Sequence, residues 1–205
     1  ADGLIDIIVA GWGGGIKSGI VFKNNGNGTL TKKPYFYIST SPSDLAVADL
    51  NNDGILDVIS SDSYSKIFIL TGNGDGTFGD GVFDVDVTFD VGSNPRGIHT
   101  VDFDKDGDVD ILNTNMVSGT ISVLKNNGNG TFATKVDYST GENPMRVNSA
   151  DMDGDGLIDL VVTNYSGNNF SVFLNNGNGT FADKTDFSSF YYSEYGSFGL
   201  APADL

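Results

Sequence analysis

An all-β fold, a β-propeller of four-stranded antiparallel blades with four repeats in this chain, is what the sequence predicts, and three observations carry that prediction. An acidic loop returns at near-constant spacing: the Asp ahead of its glycine falls at Asp2, Asp53, Asp106 and Asp155, which are 51, 53 and 49 residues apart. Each period holds four strand signals, and none shows the 3.6-residue periodicity of a helix. Asn-Gly-Asn-Gly-Thr at 25–29, 127–131 and 176–180, with Asn-Gly-Asp-Gly-Thr at 73–77, supplies the positive-φ turns that tight strand connections require. A blade of this kind cannot bury both of its faces alone, so neighbours have to stack. A β-sandwich also has short strands and turns, but it leaves the repeat without a cause.

Each repeat presents the same parts in the same order. A proline (Pro42, Pro95, Pro144) marks entry from a turn into a first strand such as Leu45-Ala46-Val47-Ala48. The acidic loop follows, then an apolar second strand: Ile7-Ile8-Val9, Val58-Ile59, Ile111-Leu112 and Leu160-Val161-Val162. A third strand comes after a variable loop, at Ile20-Val21-Phe22, Ile67-Phe68-Ile69-Leu70, Ile121-Ser122-Val123-Leu124 and Phe170-Ser171-Val172-Phe173. The Asn-Gly turn closes it, and a fourth strand is expected to open at Leu30, Phe78, Phe132 and Phe181. The whole chain reads as one repeat region, with blades near 1–40, 41–92, 93–141 and 142–192. Residues 196–205 read as the first strand of a closing or following blade, because the first repeat lacks its own.

The loops carry the chemistry. Asp151-Met152-Asp153-Gly154-Asp155-Gly156-Leu157-Ile158-Asp159 has the form D-x-D-x-D-G-x-x-D. Carboxylates crowded this closely repel one another unless a cation sits between them. Oxygen donors alone, with no Cys in the chain, point to a hard ion, and Ca2+ accepts six to eight oxygens at flexible geometry. Asp151, Asp153 and Asp155 are expected to give side-chain oxygens, Leu157 its carbonyl, and Asp159 to close the shell, with Gly156 allowing the sharp turn. Asp102, Asp104, Asp106, Asp108 and Asp110 form a second full copy, and Asp49, Asn51, Asp53, Ile55 and Asp57 a third with Asn at the third position. Asp2, Leu4 and Asp6 open the chain as a half loop, and Asp204 begins another at its end, so about three to four ions are expected. Joining the two ends gives a loop one residue short, the missing residue being the third-position ligand. An EF-hand is excluded, since its twelfth position would be Val162 rather than Glu and a β-branched run replaces the second helix.

These loops, together with Ser-Val-Phe-Leu-Asn-Asn-Gly-Asn-Gly-Thr-Phe at 171–181 and Phe198-Gly199, resemble the FG-GAP and VCBS repeats of integrin-like calcium-binding β-propellers. The resemblance covers the whole chain and implies a calcium-binding propeller of secreted and cell-surface proteins, usually closed with about seven blades, within the general range of four to eight. It does not name a ligand.

Composition agrees with that class. A net charge of -16 argues against nucleic acid and anionic membrane surfaces. Four divalent ions would bring it to about -8, ordinary for a soluble domain. Zero Cys excludes a disulfide framework, and open calcium loops of this kind favour the millimolar calcium outside cells, so an extracellular location is expected. No membrane-spanning run occurs in the sequence.

In a propeller, ligands of the resembling family are generally bound on the face opposite the acidic loops. The sequence places there Trp12, Tyr64, Met116 and Tyr165, with the interblade residues Arg96, Met145, Arg146, Tyr191, Tyr192 and Tyr195. Trp, Tyr and Arg are enriched at binding hot spots, and aromatic faces suit sugar stacking, so a lectin-like role fits. The bland alternative is that these side chains fill gaps between blades. His99, alone in a first strand, reads as packed rather than catalytic. No nucleophile, base and orienter can be assembled, so no enzymatic activity is expected. Three functions remain open: a non-enzymatic recognition or adhesion module for a glycan or protein, a structural unit that polymerises through its incomplete blade, or the propeller region of a secreted polysaccharide-acting enzyme.

Overall fold

The structure, a computed structural model, describes residues 2–13, 16–39, 41–79, 87–188 and 199–203, with the backbone alone for Trp12, Gly13, Ile16 and Lys17. The described residues form no helix and four antiparallel sheets of four strands each. Blade 1 holds β1 (Ile7–Gly13), β2 (Ile16–Asn24), β3 (Leu30–Lys32) and β4 (Phe36–Tyr37). Blade 2 holds β5 (Pro42–Ala48), β6 (Asp57–Asp62), β7 (Lys66–Leu70) and β8 (Val87–Asp90). Blade 3 holds β9 (Pro95–Val101), β10 (Asp110–Asn115), β11 (Thr120–Leu124) and β12 (Val136–Ser139). Blade 4 holds β13 (Pro144–Ala150), β14 (Asp159–Asn164), β15 (Asn169–Phe173) and β16 (Thr185–Ser188). Blades 2 to 4 are simple meanders in which every strand pairs with the next in sequence.

Two details depart from the expected layout. Phe78, Phe132 and Phe181 do not open fourth strands; they form isolated bridges to Gly72, Asn126 and Asn175 that close the Asn-Gly turns. The outer strands begin later, at Val87, Val136 and Thr185, because the Phe side chains are turned inward to pack instead of continuing a ladder. In blade 1 the outer strand is split: β3 and β4 both pair with β2, and Pro34, which has no N–H to donate, lies between them. Residues 199–203 carry no strand, and Asp204 lies outside the described residues.

Burial follows position in the stack. Every residue of β6, β10 and β14 is buried, since each of these middle strands has protein on both faces. The outer strand β16 is exposed throughout. Because side chains alternate across a strand, one strand feeds two cores. Val58 joins Ile38 and Leu70 between blades 1 and 2, whereas its neighbour Ile59 joins Leu50, Ile98 and Ile111 between blades 2 and 3. A third cluster, with Phe103, Leu112, Leu160 and Phe173, fills the space between blades 3 and 4. On β1, Ile8 and Ala10 face blade 2, while Ile7 and Val9 face away and are exposed.

Neighbouring blades touch through polar contacts of their first and second strands. Ser43 Oγ donates to the Pro95 carbonyl at 2.7 Å, and Thr114 Oγ1 donates to the Met145 carbonyl at 3.2 Å. Gly97 makes this approach possible: a Cβ there would stand 2.6 Å from the Met145 carbonyl oxygen and 3.0 Å from the Arg146 Cα. Both are backbone atoms of the next blade and cannot swing aside. Gly97→Ala is therefore expected to lower unfolding stability by about 1–3 kcal/mol in urea titration, the range for an overpacked site. A loss under about 0.5 kcal/mol would mean that the joint between β9 and β13 is not tight.

Candidate functional site

The acidic loops lie at one end of the blades: in blades 2 to 4 between the first strand and the second, and in blade 1 as the half loop that leads into β1. Their form comes from Asx turns and left-handed backbone. The glycine of each full loop has positive φ: 83° at Gly54, 95° at Gly107 and 85° at Gly156. The fourth position is also left-handed, at Asn52, Lys105 and Gly154. First-position carboxylates gather the loop's amides: Asp49 Oδ2 accepts Gly54 N–H at 2.8 Å, Asp102 Oδ2 accepts Gly107 N–H at 3.0 Å, and Asp151 Oδ2 accepts Gly156 N–H at 2.9 Å. Fifth-position carboxylates cap the seventh residue, with Asp53 accepting from Ile55 at 2.8 Å, Asp106 from Asp108 at 2.9 Å and Asp155 from Leu157 at 2.7 Å. The half loop keeps this habit, since Asp2 accepts from Leu4 N–H at 3.1 Å.

Two loops bring three carboxylates together. One oxygen each of Asp102, Asp104 and Asp106 lie within 4.8 Å of one another, and so do those of Asp151, Asp153 and Asp155. Asn51 holds the equivalent place in blade 2 and donates to Asp53 Oδ2 at 3.0 Å. A cation fits the blade 3 group. Asp102 Oδ1 and Asp104 Oδ1 are buried and without a hydrogen-bond partner, and the Asp104 side chain is only 8% exposed. Unpaired buried carboxylate oxygens are costly, and an oxygen-only donor set of this density matches a hard ion such as Ca2+.

The ninth-position acids stand apart from these groups. Asp159 Oδ2 accepts Met152 N–H and its Oδ1 accepts Asn175 N–H, both at 2.8 Å. Asp110 accepts from Phe103 at 3.2 Å and Asn126 at 2.8 Å, and Asp57 from Leu50 at 3.0 Å and Gly72 at 2.9 Å. All three are buried. Asp6 repeats half of the pattern, accepting Asn24 N–H at 2.7 Å, although it is exposed. Each buried acid thus ties the start of its loop to the end of the third strand. Burial raises the Asp57 carboxyl and lifts that of Asp110 to about 7, against the pull of their amide donors. A neighbouring divalent ion would hold both ionised. Asp108 turns elsewhere: its Oδ1 accepts from Asn52 Nδ2 of the preceding loop at 2.7 Å.

Sequence reasoning missed Asn126 and Asn175. Asn126 Nδ2 donates to the carbonyls of Leu50, in the preceding blade's loop, and Val109, in its own, each at 2.9 Å. Asn175 Nδ2 does the same to Phe103 at 2.8 Å and Ile158 at 2.9 Å. The signal was present in the doubled Asn of Asn-Asn-Gly-Asn-Gly-Thr, since turn chemistry accounts for the second Asn but not for the first. Phe103 and Phe181 pack beside this hook with ring centroids 5.2 Å apart.

At the other end, turns between second and third strands meet the interblade loops. Met116 N–H donates to the Asn94 carbonyl and Tyr165 N–H to that of Asn143, both at 2.9 Å. Tyr64 is 74% exposed there, and Tyr165 and Arg96 are half-buried. Arg146 is not free, because it is paired with Asp44 of blade 2, which also accepts Ile98 N–H at 3.2 Å. The Trp12 backbone lies in β1, while its side chain and Tyr191, Tyr192 and Tyr195 are outside the described residues. His99 sits between inner strands with Nε2 2.9 Å from Ser149 Oγ, and burial lowers its pKa.

Loops, turns and blades repeat with a regularity that a family model recognises. The model for FG-GAP-like repeats matches residues 1–60, 49–113, 114–162 and 151–205. The chain belongs to the FG-GAP-like repeat family. No curated protein sequence matches this FG-GAP chain. Among solved structures it is similar to the Vibrio cholerae biofilm matrix protein Bap1, at 17% identity and TM-score 0.50, over 91% of this chain and 28% of that one. It is similar to BBS1N, solved with ARL6DN, at 10% identity and TM-score 0.50, over 93% and 58%. It also matches an Agrocybe aegerita lectin recognising non-reducing terminal N-acetylglucosamine, at 19% identity and TM-score 0.37, over 88% and 65%. The FG-GAP chain spans less than two thirds of each.

Proposed function

We propose that this FG-GAP chain is a calcium-stabilised, non-enzymatic recognition module that works outside the cell and takes a glycan or a protein on the face opposite its acidic loops. The observation that carries the reading is the division of labour between the two ends of the blades. One end concentrates carboxylates whose oxygens already cap backbone amides or stand ready for an ion, which leaves them no role in acid–base chemistry. The other end presents turns set on buried strands, with Tyr64 and Val117 exposed at their tips. An exposed aromatic on a rigid turn loses little entropy when it is covered, which favours binding. Calcium-binding modules of modest affinity operate in the high calcium found outside cells, in line with an extracellular place of work.

Tyr64→Ala tests the reading. Its backbone turn is held independently by Asp62 Oδ1, which accepts Tyr64 N–H at 2.9 Å, so folding should be unaffected. Among glycans and extracellular proteins that the chain retains on an array, affinity is expected to fall about tenfold or more, as for an aromatic hot spot. The reading fails if partners bind Tyr64→Ala as well as the parent, or if the chain turns over a polysaccharide.

A further inference from the structure

The residue two positions before the Asn-Gly turn differs among the repeats: Lys23, Thr71, Lys125 and Leu174. In blade 3 this residue enters the acidic loop. Lys125 Nζ bonds the Asp104 carboxylate and lies 3.2 Å from Asp106 Oδ2. Blade 1 repeats the arrangement, with Lys23 Nζ 3.2 Å from Asp2 Oδ2, and Asp2 holds the same loop position as Asp106. Blade 4 has Leu174 there; Lys105 of the blade 3 loop reaches the blade 4 loop but bonds the Gly156 carbonyl, so among the described residues no ammonium pairs with the carboxylates of Asp151, Asp153 and Asp155.

We propose that Lys125 is a tethered cation that occupies the Asp102–Asp110 loop when no divalent ion is present and competes with calcium for it, making blade 3 a weaker calcium site than blade 4. The inference rests on the calcium reading above. An ammonium is a single charge with three donors on a flexible stem, and here it reaches only one side of the group. Asp102 Oδ1 and Asp104 Oδ1 stay buried and unpaired, a gap that an ion of six to eight ligands fills. Lys125 is therefore a placeholder. Calcium has to expel it, whereas the loop of blade 4 offers an ion the same three carboxylates without that competitor. The loop of blade 3 keeps its carboxylates together at low calcium, while the loop of blade 4 depends on the ion.

Calcium titration of chelator-treated, 15N-labelled protein reads the two loops separately, through the Gly107 and Gly156 amides that donate to Asp102 and Asp151. The Gly156 signal is expected to respond at lower calcium than Gly107. Lys125→Met should bring the Gly107 midpoint down about three- to tenfold, the range for losing an exposed ion-pair competitor, and leave Gly156 in place. Leu174→Lys should raise the Gly156 midpoint by a similar factor, and it decides the matter alone if Lys125→Met does not fold. Unchanged midpoints in the variants would overturn the competition and leave the calcium reading standing. No response of either glycine at millimolar calcium would overturn the calcium reading, and the role of Lys125 with it.

Discussion

Removing divalent ions with excess EDTA is expected to lower the melting temperature of this FG-GAP chain by roughly 10–20 °C. Binding to the folded state alone adds about 2.7 kcal/mol per site at a hundredfold excess over the dissociation constant. Two groups of three carboxylates offer two such sites, and for a chain of this size each kcal/mol corresponds to about 2–4 °C. The dependence on pH gives the result a second signature. Burial holds the Asp110 carboxyl at about 7 in the folded state, far above its ordinary value of 3.8. The folded protein therefore binds more protons than the unfolded chain between those values, and stability contributed by this group is lost as pH rises toward 7. In EDTA the melting temperature should fall between about pH 4 and pH 7, and calcium should remove that slope, because a neighbouring ion holds Asp110 charged in the folded state. A melting temperature that stays unchanged after EDTA has demonstrably stripped the protein of metal would remove calcium from the account.

Asp159→Ala is expected to cost about 3–5 kcal/mol even in EDTA. The side chain is 1% exposed and is the acceptor for two amides, the part-buried one of Met152 and the buried one of Asn175, both at 2.8 Å. Alanine leaves the Asn175 N–H unpaired in the core and the Met152 N–H unpaired at its edge, at up to about 1–3 kcal/mol each, and opens a small void. That is a large share of the roughly 5–15 kcal/mol by which a domain is stable. Asp159→Asn keeps one acceptor oxygen and should cost about half as much. Chemical denaturation in the presence and absence of calcium separates the two roles available to this residue. If Asp159 serves only to close a metal shell, both variants will match the parent once EDTA is present. If it staples the loop to the third strand, the loss will persist without metal. A carboxylate has about four lone-pair positions, so the two amide bonds leave room for an ion as well.

How much of this was visible in the chain can be judged residue by residue. The acidic nine-residue pattern located the loops, and Gly54, Gly107 and Gly156 sit at positive φ where the turn was expected. The apolar runs at 58–59, 111–112 and 160–162 lie in the fully buried middle strands. The outer strands were misplaced at Phe78, Phe132 and Phe181, because an apolar residue after a turn reads as a strand start whether its side chain joins a ladder or drops into the gap between blades. Arg146 carried a binding signal in its residue type and proved to be paired with Asp44, 102 positions away, a partner that no local pattern announces.

The sequence by itself determined the repeat, the strands, the turns and the acidic loops, because each is set by contacts within about ten residues: alternation, Asx turns, left-handed glycines and charge crowding. Only the tertiary structure decided how one blade grips the next. It turned Asn126 and Asn175 into hooks on the preceding loop, directed the ninth-position acids onto backbone amides, and brought Lys125 to the carboxylates of blade 3 while leaving Leu174 in its place in blade 4. Those choices depend on groups 16 to 76 positions apart meeting across strands and blades, and a distance of that kind is fixed by packing rather than by neighbours in the chain.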